Sequence, residues 1–320
     1  MSDLRGGIDL GGTKIQAVIV GAGGEALGEA RRPTPTEGGP GDVAAAMAEA
    51  LREAAAAAGV EPAELTGVGV GSPGDADERT GTVSSARNLP DWDGSFPLGE
   101  TLAEALGTEV KVGNDVQVAV EGEYALGAGK EFGSLLGVWW GTGVGGGIIL
   151  DGKPWLGRGA AGEIGHIVVE RDGARCPCGR RGCMEAYAGR AAMEAEARRR
   201  HDKGHETDLF KLMHKHEKPR LTSGIWERAL DHGDKLAEKL IERAIEALGT
   251  GVASACNVLD VEAVVIGGGL GERFGERLME PFQEEMSKHL FVDDDPPKML
   301  VAALGDLGGA IGASLLVDGA

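Results

Sequence analysis

The chain has 320 residues, room for one large domain or two ordinary ones, and its 42% hydrophobic and 26% charged content is that of a globular protein with a full core. A formal net charge of −19 argues against nucleic acid or an anionic membrane surface as a partner, although backbone amides can bind phosphate without a basic patch. Residues 1–6 are polar and lead straight into a strand, no signal peptide or long apolar span is present, and Cys256 is the only cysteine outside one cluster; a cytoplasmic, thiol-reducing setting is therefore expected.

Residues 7–20 read as strand, tight glycine turn and strand. The turn region carries Asp9, Gly11, Gly12, Thr13 and Lys14 and lacks the GxxxxGK[ST] pattern of a P-loop. Its glycines let backbone amides approach phosphate oxygens, and Asp9 is suited to hold a hydrated Mg2+ ion beside substrate phosphates. An ordinary hairpin with a solvated acid is the alternative. A Pro/Gly-rich connection over 33–41 leads to an alanine-rich helix capped by Asp42, which runs to about Ala58 and stops at Gly59. Residues 66–72 read as a short buried strand, 75–83 as a polar turn or hairpin and 97–106 as a short helix. The loop 88–92, with Asn88 and Trp92, is either a sugar-contacting loop or a plain surface turn. Residues 109–115 form a strand ending in Asn114-Asp115, followed by a helix over 116–126. An acid at a strand-to-helix junction suits catalysis and equally suits a helix N-cap.

Residues 135–150 are a second strand-turn-strand. With Gly137 set beneath Gly7, Gly141 falls on Gly11 and Ile148-Ile149-Leu150 falls on Val18-Ile19-Val20, a sign of internal duplication. Two such hairpins suit the two sides of a polyphosphate. Next come Glu163, His166, Cys176, Cys178, Cys183 and Glu185 within one short span. One imidazole and three thiols make a full tetrahedral set for Zn2+ with no open position, which points to a structural role. Reduced thiols, or a disulfide in an oxidising compartment, are the alternatives. Pro177, Gly179 and Gly182 suit the tight turns around a small ion, and the pinned loop presents Glu163, His166 and Glu185 to a ligand.

Residues 185–200 read as one helix with an Arg-rich end, and 201–222, with His201, His205, His214 and His216 at loose spacing, as a solvated helical excursion. Asp234 caps a long amphipathic helix to about Leu259. Residues 262–270 are a buried strand entering a glycine turn, suited to a nucleotide packed against backbone or to a tight structural turn. Residues 299–304 form a last strand and 306–316 a closing small-residue helix.

Asp9-Leu-Gly-Gly-Thr-Lys14, Asn114-Asp115, Gly141-Thr-Gly-Val-Gly-Gly-Gly147, Glu163-Ile-Gly-His166, the Cys176 to Glu185 segment and Gly267-Gly-Gly269 occur in this order, and with them the chain resembles the ROK sugar kinases nearly end to end. The resemblance implies an α/β fold of the duplicated, actin-like (ribonuclease-H-type) ATPase kind, two domains with substrates in the cleft between them. We expect a smaller N-terminal domain over 1–113, joined by the C-terminal helix 306–320, and a larger domain over 114–305 carrying the zinc loop. The resemblance implies a kinase that uses ATP with Mg2+ on a hexose, most simply D-glucose. Asp115 would be the general base. Asn88, Asn114, Asp115, Glu163, His166 and Glu185 would bind the sugar, with His166 also on the Zn2+. Asp9, Gly11, Gly12, Thr13 and Lys14 would form the first phosphate loop, Thr142 and Gly143 the second, and Gly268 and Gly269 the nucleotide shelf. Family members that repress transcription carry an N-terminal DNA-binding helical domain, and none is expected ahead of a strand that starts by Gly7. Trp139 and Trp140 depart from the family's smaller or β-branched residues. The alternatives are a kinase for N-acetylglucosamine, N-acetylmannosamine, mannose or fructose, a polyphosphate-using glucokinase, and, in another class, a non-catalytic sugar-sensing protein. Asp115 and the two hairpins speak against the last. A homo-oligomer, dimer or tetramer, is expected, with no nucleic-acid or membrane partner.

Overall fold

The computed structural model describes residues 3–86 and 89–318, so Asn88 lies outside the described residues. The chain forms two compact units. One comprises the N-terminal part to Glu131, Lys153–Gly159 and the part from Ala303 onward; the other comprises Phe132–Gly152 and Ala160–Ala302.

The first unit begins with β1 (Arg5–Leu10) and β2 (Lys14–Val20), an antiparallel pair, and β3 (Ala26–Pro33) adds antiparallel to β2. Strand β3 is not expected from the sequence. Its alternating exposed residues at a sheet edge give no apolar run to detect. Helix α1 (Pro40–Ala58) buries Val43, Met47, Leu51, Ala54 and Ala55, a stripe at helical spacing. Its cap residue is Gly39 rather than Asp42. Asp42 sits one turn in, where its Oδ2 accepts from the Gly39 amide at 2.9 Å, and Gly59 ends the helix at φ 75° as expected. Strand β4 (Val68–Ser72) runs parallel to β1. The small antiparallel sheet of β5 (Asp75–Asp77), β6 (Thr82–Ser84) and β7 (Ser95–Phe96), then α2 (Leu98–Leu106), lead to β8 (Val110–Asn114), parallel to β4. Trp92 is a core wedge, not a surface turn: it is buried, its Nε1 donates to Val83 O at 3.1 Å, and its ring meets Phe96 edge-on. Helix α3 (Asp115–Ala125) follows β8 without a gap. The sheet order is β3-β2-β1-β4-β8.

The second unit holds β9 (Leu135–Trp140) and β10 (Val144–Leu150); the two-residue β11 (Lys153–Pro154) that follows in sequence belongs to the first. Beyond the cysteine loop come α4 (Glu185–Ala188), α5 (Arg190–His201), α6 (Leu209–Lys215), α7 (Ser223–Asp231), α8 (Lys235–Leu259), β12 (Ala263–Gly267), α9 (Gly268–Ser287) and β13 (Lys298–Val301). The order β10-β9-β12-β13 repeats β2-β1-β4-β8, with the same antiparallel hairpin and the same two parallel neighbours. The duplication read in the sequence is therefore present in the sheets, with one correction. Gly7 faces Val18, whereas Gly137 faces Gly147, so the second hairpin turns one residue earlier and the ungapped match beyond the turn is off by one.

Three helical expectations also change. Gly189, with ψ 131°, breaks the expected 185–200 helix into α4 and α5. The stretch 201–222 is not merely solvated, because α6 buries Leu209, Phe210, Leu212 and Met213. Helix α9, 20 residues long with Pro281 inside it, has no counterpart in the sequence reading. As expected, Asp234 caps α8, its Oδ1 accepting from the Leu236 and Ala237 amides at 2.9 and 3.0 Å. Leu136, Val138 and Trp140 of β9 face α8 and α9 across the core, Trp140 lying 6.2 Å from the Phe274 ring.

The chain then returns to the first unit through the turn Gly305–Leu307 and α10 (Gly308–Ser314). This helix lies against β1 and β4 with no side chain between: a Cβ on Gly7 would come 1.9 Å from Ala310 O, and one on Gly69 1.7 Å from Ala313 O. Helices α3 and α10 meet equally closely, since a Cβ on Gly312 would stand 1.9 Å from Val118 O. That packing puts α3 in the first unit, so the unit extends past the 113/114 boundary expected from the sequence. Buried Glu123 secures the return, accepting from the amides of Ala303 (2.9 Å), Leu304 (2.8 Å) and Ala128 (2.9 Å). Among the described residues no helix is long and apolar enough to cross a membrane.

Candidate active site

In the first unit, Asp9 is the last but one residue of β1, ahead of the glycine turn, and Asp115 opens α3. The Asn114 side chain, not that of Asp115, is the N-cap: its Oδ1 accepts from the Val116 and Gln117 amides at 3.0 and 3.1 Å. That leaves the Asn114 amide group as a donor. Asp115 Oδ1 accepts from Val116 N at 2.9 Å, which fixes the carboxyl. Asp9 is pushed up to about 7, first by burial and then by the charge of Asp115, with Lys14 opposing and Asp306 adding. Its carboxyl stands over α10, where a Cβ on Gly309 would come within 2.8 Å of it. Two half-buried acids in mutual repulsion form a place that a divalent cation would relieve, so the donor set fits Mg2+. Lys14 is engaged with Asp306, Nζ to Oδ1 at 2.9 Å. The exposed turn residues Gly12 and Thr13 stand between Gly11, whose amide donates to Lys14 O at 2.9 Å, and Lys14 itself. Buried Thr34 braces this turn, its Oγ1 donating to Gly11 O at 2.6 Å and its amide to Thr13 O at 3.2 Å.

In the second unit, the donor atoms of His166, Cys176, Cys178 and Cys183 all lie within 4.8 Å of one another. Cys178 and Cys183 sulfurs are 3.7 Å apart, and Cys176 Sγ is 3.8 Å from His166 Nδ1. Tetrahedral bonds of about 2.3 Å to sulfur place ligand atoms roughly 3.8 Å apart, so the set fits a closed four-coordinate metal ion. The thiols are not alike: burial pushes Cys176 up to about 12, while the Arg180 backbone amide foremost draws Cys178 down to about 7. His166 Nε2 lies on the other side of the ring, 3.7 Å from Glu163 Oε2. Tyr187 OH accepts from the Ala174 amide at 2.6 Å and ties the loop to α4.

Glu185 joins this loop to the second glycine turn. Its Oε1 is 3.8 Å from Cys176 Sγ and its Oε2 accepts from Val144 N at 3.0 Å. The turn itself, with exposed Thr142 at its tip, is closed by Gly141 N donating to Gly143 O at 3.0 Å. Helix α5 holds the turn from behind through Arg190 N to Gly141 O (3.1 Å), Ala191 N to Thr142 O (3.0 Å) and the Arg190 guanidinium to Thr142 Oγ1 (2.7 Å). Gly268, at φ 78°, begins α9 over the Trp140 backbone, and a Cβ on Gly141 would be 3.9 Å from Gly269 N. The second turn and the α9 amides thus adjoin. Trp139 lies with its indole against Gly267.

The sequence-derived residues therefore gather into groups: Asp9, the first turn, Asn114 and Asp115 in one unit, and the metal loop, the second turn and the α9 start in the other. Asn88 lies outside the described residues. Sequence reasoning passed over Thr34, Asp306, Glu123 and Arg190. Thr34 and Asp306 sit among Pro- and Gly-rich residues that carry no signal, and Glu123 reads as one more surface acid of a helix. Arg190 did carry one: a cation in the first turn of a helix opposes the helix dipole.

The sequence pattern of the ROK family matches residues 5–320. The chain is 34% identical over 313 residues to the glucokinase of Thermotoga maritima, covering 97% of this chain and 96% of that one. It is 30% identical over 322 residues to an N-acetyl-D-glucosamine kinase of Escherichia coli, covering 97% and 98%. Among solved structures, a ROK family glucokinase from Streptomyces griseus in complex with glucose and AMPPNP superposes with a TM-score of 0.83 at 32% identity, covering 98% of each chain.

Proposed function

The chain belongs to the ROK family of sugar kinases, and on that premise we propose that it transfers the γ-phosphoryl group of ATP to the 6-hydroxyl of D-glucose. The observation that carries the reading is a fixed carboxylate, Asp115, at the start of α3 in a chain similar over nearly its whole length to a glucokinase. Asp115 takes the proton of the sugar hydroxyl as bonding to phosphorus develops. The Asn114 amide group donates to a neighbouring hydroxyl. His166 Nε2 and the carboxylates of Glu163 and Glu185 hold others, and a site built on such bonds discriminates against sugars that leave them unpaired. The amides of both glycine turns and of the α9 start face phosphate oxygens. Mg2+, bound with ATP and held through Asp9, would supply neutralisation of phosphate charge. The metal held by His166, Cys176, Cys178 and Cys183 is assigned as Zn2+ with a structural role, because the set is closed and thiolate-rich.

The test is a coupled assay of sugar-dependent ADP release with glucose, mannose, fructose and N-acetylglucosamine, each with ATP and with polyphosphate. Glucose with ATP should give the highest kcat/KM. A lead of about tenfold for another sugar, roughly 1.4 kcal/mol in transition-state binding, would reassign the substrate within the family. No turnover with any sugar would leave a sugar-sensing protein.

A further inference from the structure

Arg190 is the first residue of α5 and only 7% exposed. A cation is disfavoured there twice, by burial and by the positive end of the helix dipole. Its surroundings neutralise it only in part. The short contacts of the guanidinium go to neutral oxygens, Thr142 Oγ1 at 2.7 Å and Leu221 O at 3.2 Å. Its acidic partner, Glu194 Oε2, is 3.9 Å away, and Glu194 is also bound to Arg198 at 2.7 Å and to the Leu221 amide at 2.9 Å. Burial foremost, then the charge of Arg220, lowers the guanidinium below its ordinary value, with Glu194 opposing. A buried cation left short of negative charge, one hydrogen bond behind an exposed glycine-turn hydroxyl, is arranged for an anion that arrives from outside.

We propose that Arg190 is a positioning residue for the phosphate groups of the donor nucleotide, acting through Thr142. Because Thr142 Oγ1 accepts from the guanidinium, the hydroxyl proton is directed away from Arg190 and donates to a phosphate oxygen. The charge behind it strengthens that donation. Bonds from the Arg190 and Ala191 amides to Gly141 O and Thr142 O hold the turn in the receiving geometry. The inference rests on the reading of 141–143 as a phosphate loop and adds to it a cation that the loop sequence does not contain.

The experiment compares Arg190→Met, Arg190→Lys, Thr142→Ala and the double variant Thr142→Ala/Arg190→Met, reading KM for Mg-ATP, KM for glucose, kcat and melting temperature. Arg190→Met should raise the ATP KM about tenfold or more while the glucose KM stays within about twofold, on the scale of losing one charge-assisted hydrogen bond. Arg190→Lys should recover part of the loss. In the Thr142→Ala background the Arg190→Met effect should shrink, since the two act as one unit. If Arg190→Met does not fold, Arg190→Lys carries the same comparison, and an increase confined to the ATP KM supports the proposal. An unchanged ATP KM, or equal losses for ATP and glucose, in the folded variant overturns it. A raised ATP KM in Thr142→Ala without one in the Arg190 variants overturns the proposal alone. No change in Thr142→Ala overturns the phosphate-loop reading and the proposal with it.

Discussion

The Glu185 carboxylate accepts a hydrogen bond from the Val144 amide at 3.0 Å, so a residue beside the metal cluster also fixes the second glycine turn. The contact depends on the residue before Val144. A Cβ on Gly143 would stand 2.2 Å from Glu185 Oε2. Gly143→Ala should therefore displace Glu185 and strain the turn together. We expect the KM values for glucose and for ATP to rise jointly, each by about tenfold, the scale of a displaced charge-assisted bond. A change in only one of the two would show that Glu185 does not couple the loop and the turn.

The metal cluster gives a second expectation. Purified protein should carry about one zinc per chain, and Cys178→Ala should lose it. Without the ion His166 Nδ1 keeps only its 3.8 Å contact with Cys176 Sγ, so glucose affinity should fall about ten- to a hundredfold, with ATP affinity far less affected. Elemental analysis paired with glucose titration checks both, and a metal-free protein with ordinary glucose binding would remove the structural role.

Asp115→Asn should fold, because an amide oxygen can still accept from Val116 N. It should bind glucose and lose turnover by at least about a hundredfold, the usual scale for a missing general base. Binding calorimetry and single-turnover rates separate the two effects. Turnover close to the parent's would transfer the role of base elsewhere.

Helix α3 also carries a pH-dependent element. Burial pushes Glu121 up to about 7, against the hydrogen bond from Gln117 Nε2 at 3.1 Å and with the charge of Glu78 adding. Its folded value lies above the unfolded one of 4.5, so the folded state keeps a proton that the unfolded state releases first. The stabilisation is complete below the unfolded value and is lost as the pH rises through the folded one. Glu121→Gln, neutral throughout, should match the parent at about pH 4 and exceed it by about 1–3 kcal/mol at about pH 8. Denaturant unfolding at the two pH values measures this, and an equal difference at both would exclude Glu121 as the source.

Much of this molecule is legible in the sequence where one local rule decides. The two glycine hairpins, the cysteine spacing, the Asp234 cap and the Gly59 stop each follow from a few adjacent residues. What escaped depends on partners far along the chain. Edge strand β3 has no apolar face of its own and exists because β2 is there to pair with. Helix α9 hides behind its glycine start and Pro281. The one-residue difference between the hairpins is invisible in an ungapped match, since Val18 and Ile148 are chemically alike, and only the strand register reveals it. Among the candidate site residues, types were legible but roles were not. Asn114 rather than Asp115 caps α3, and Lys14 is occupied by Asp306, 292 positions away.

Chain synthesis is vectorial, and α10 imposes an order on it. Strands β1 and β4 leave the ribosome early with a glycine-lined trough where Gly7 and Gly69 await the backbone of Ala310 and Ala313. At about 5–20 residues per second, α10 emerges on the order of tens of seconds later. Through that interval α3 covers β4 and β8 at Gly71 and Gly113, but the places of Ala310 and Ala313 over Gly7 and Gly69 stay empty while the second unit is translated. Helix α10, made after the second unit, is thus the element that closes β1 and β4, so the first unit cannot finish folding until the second has been synthesised.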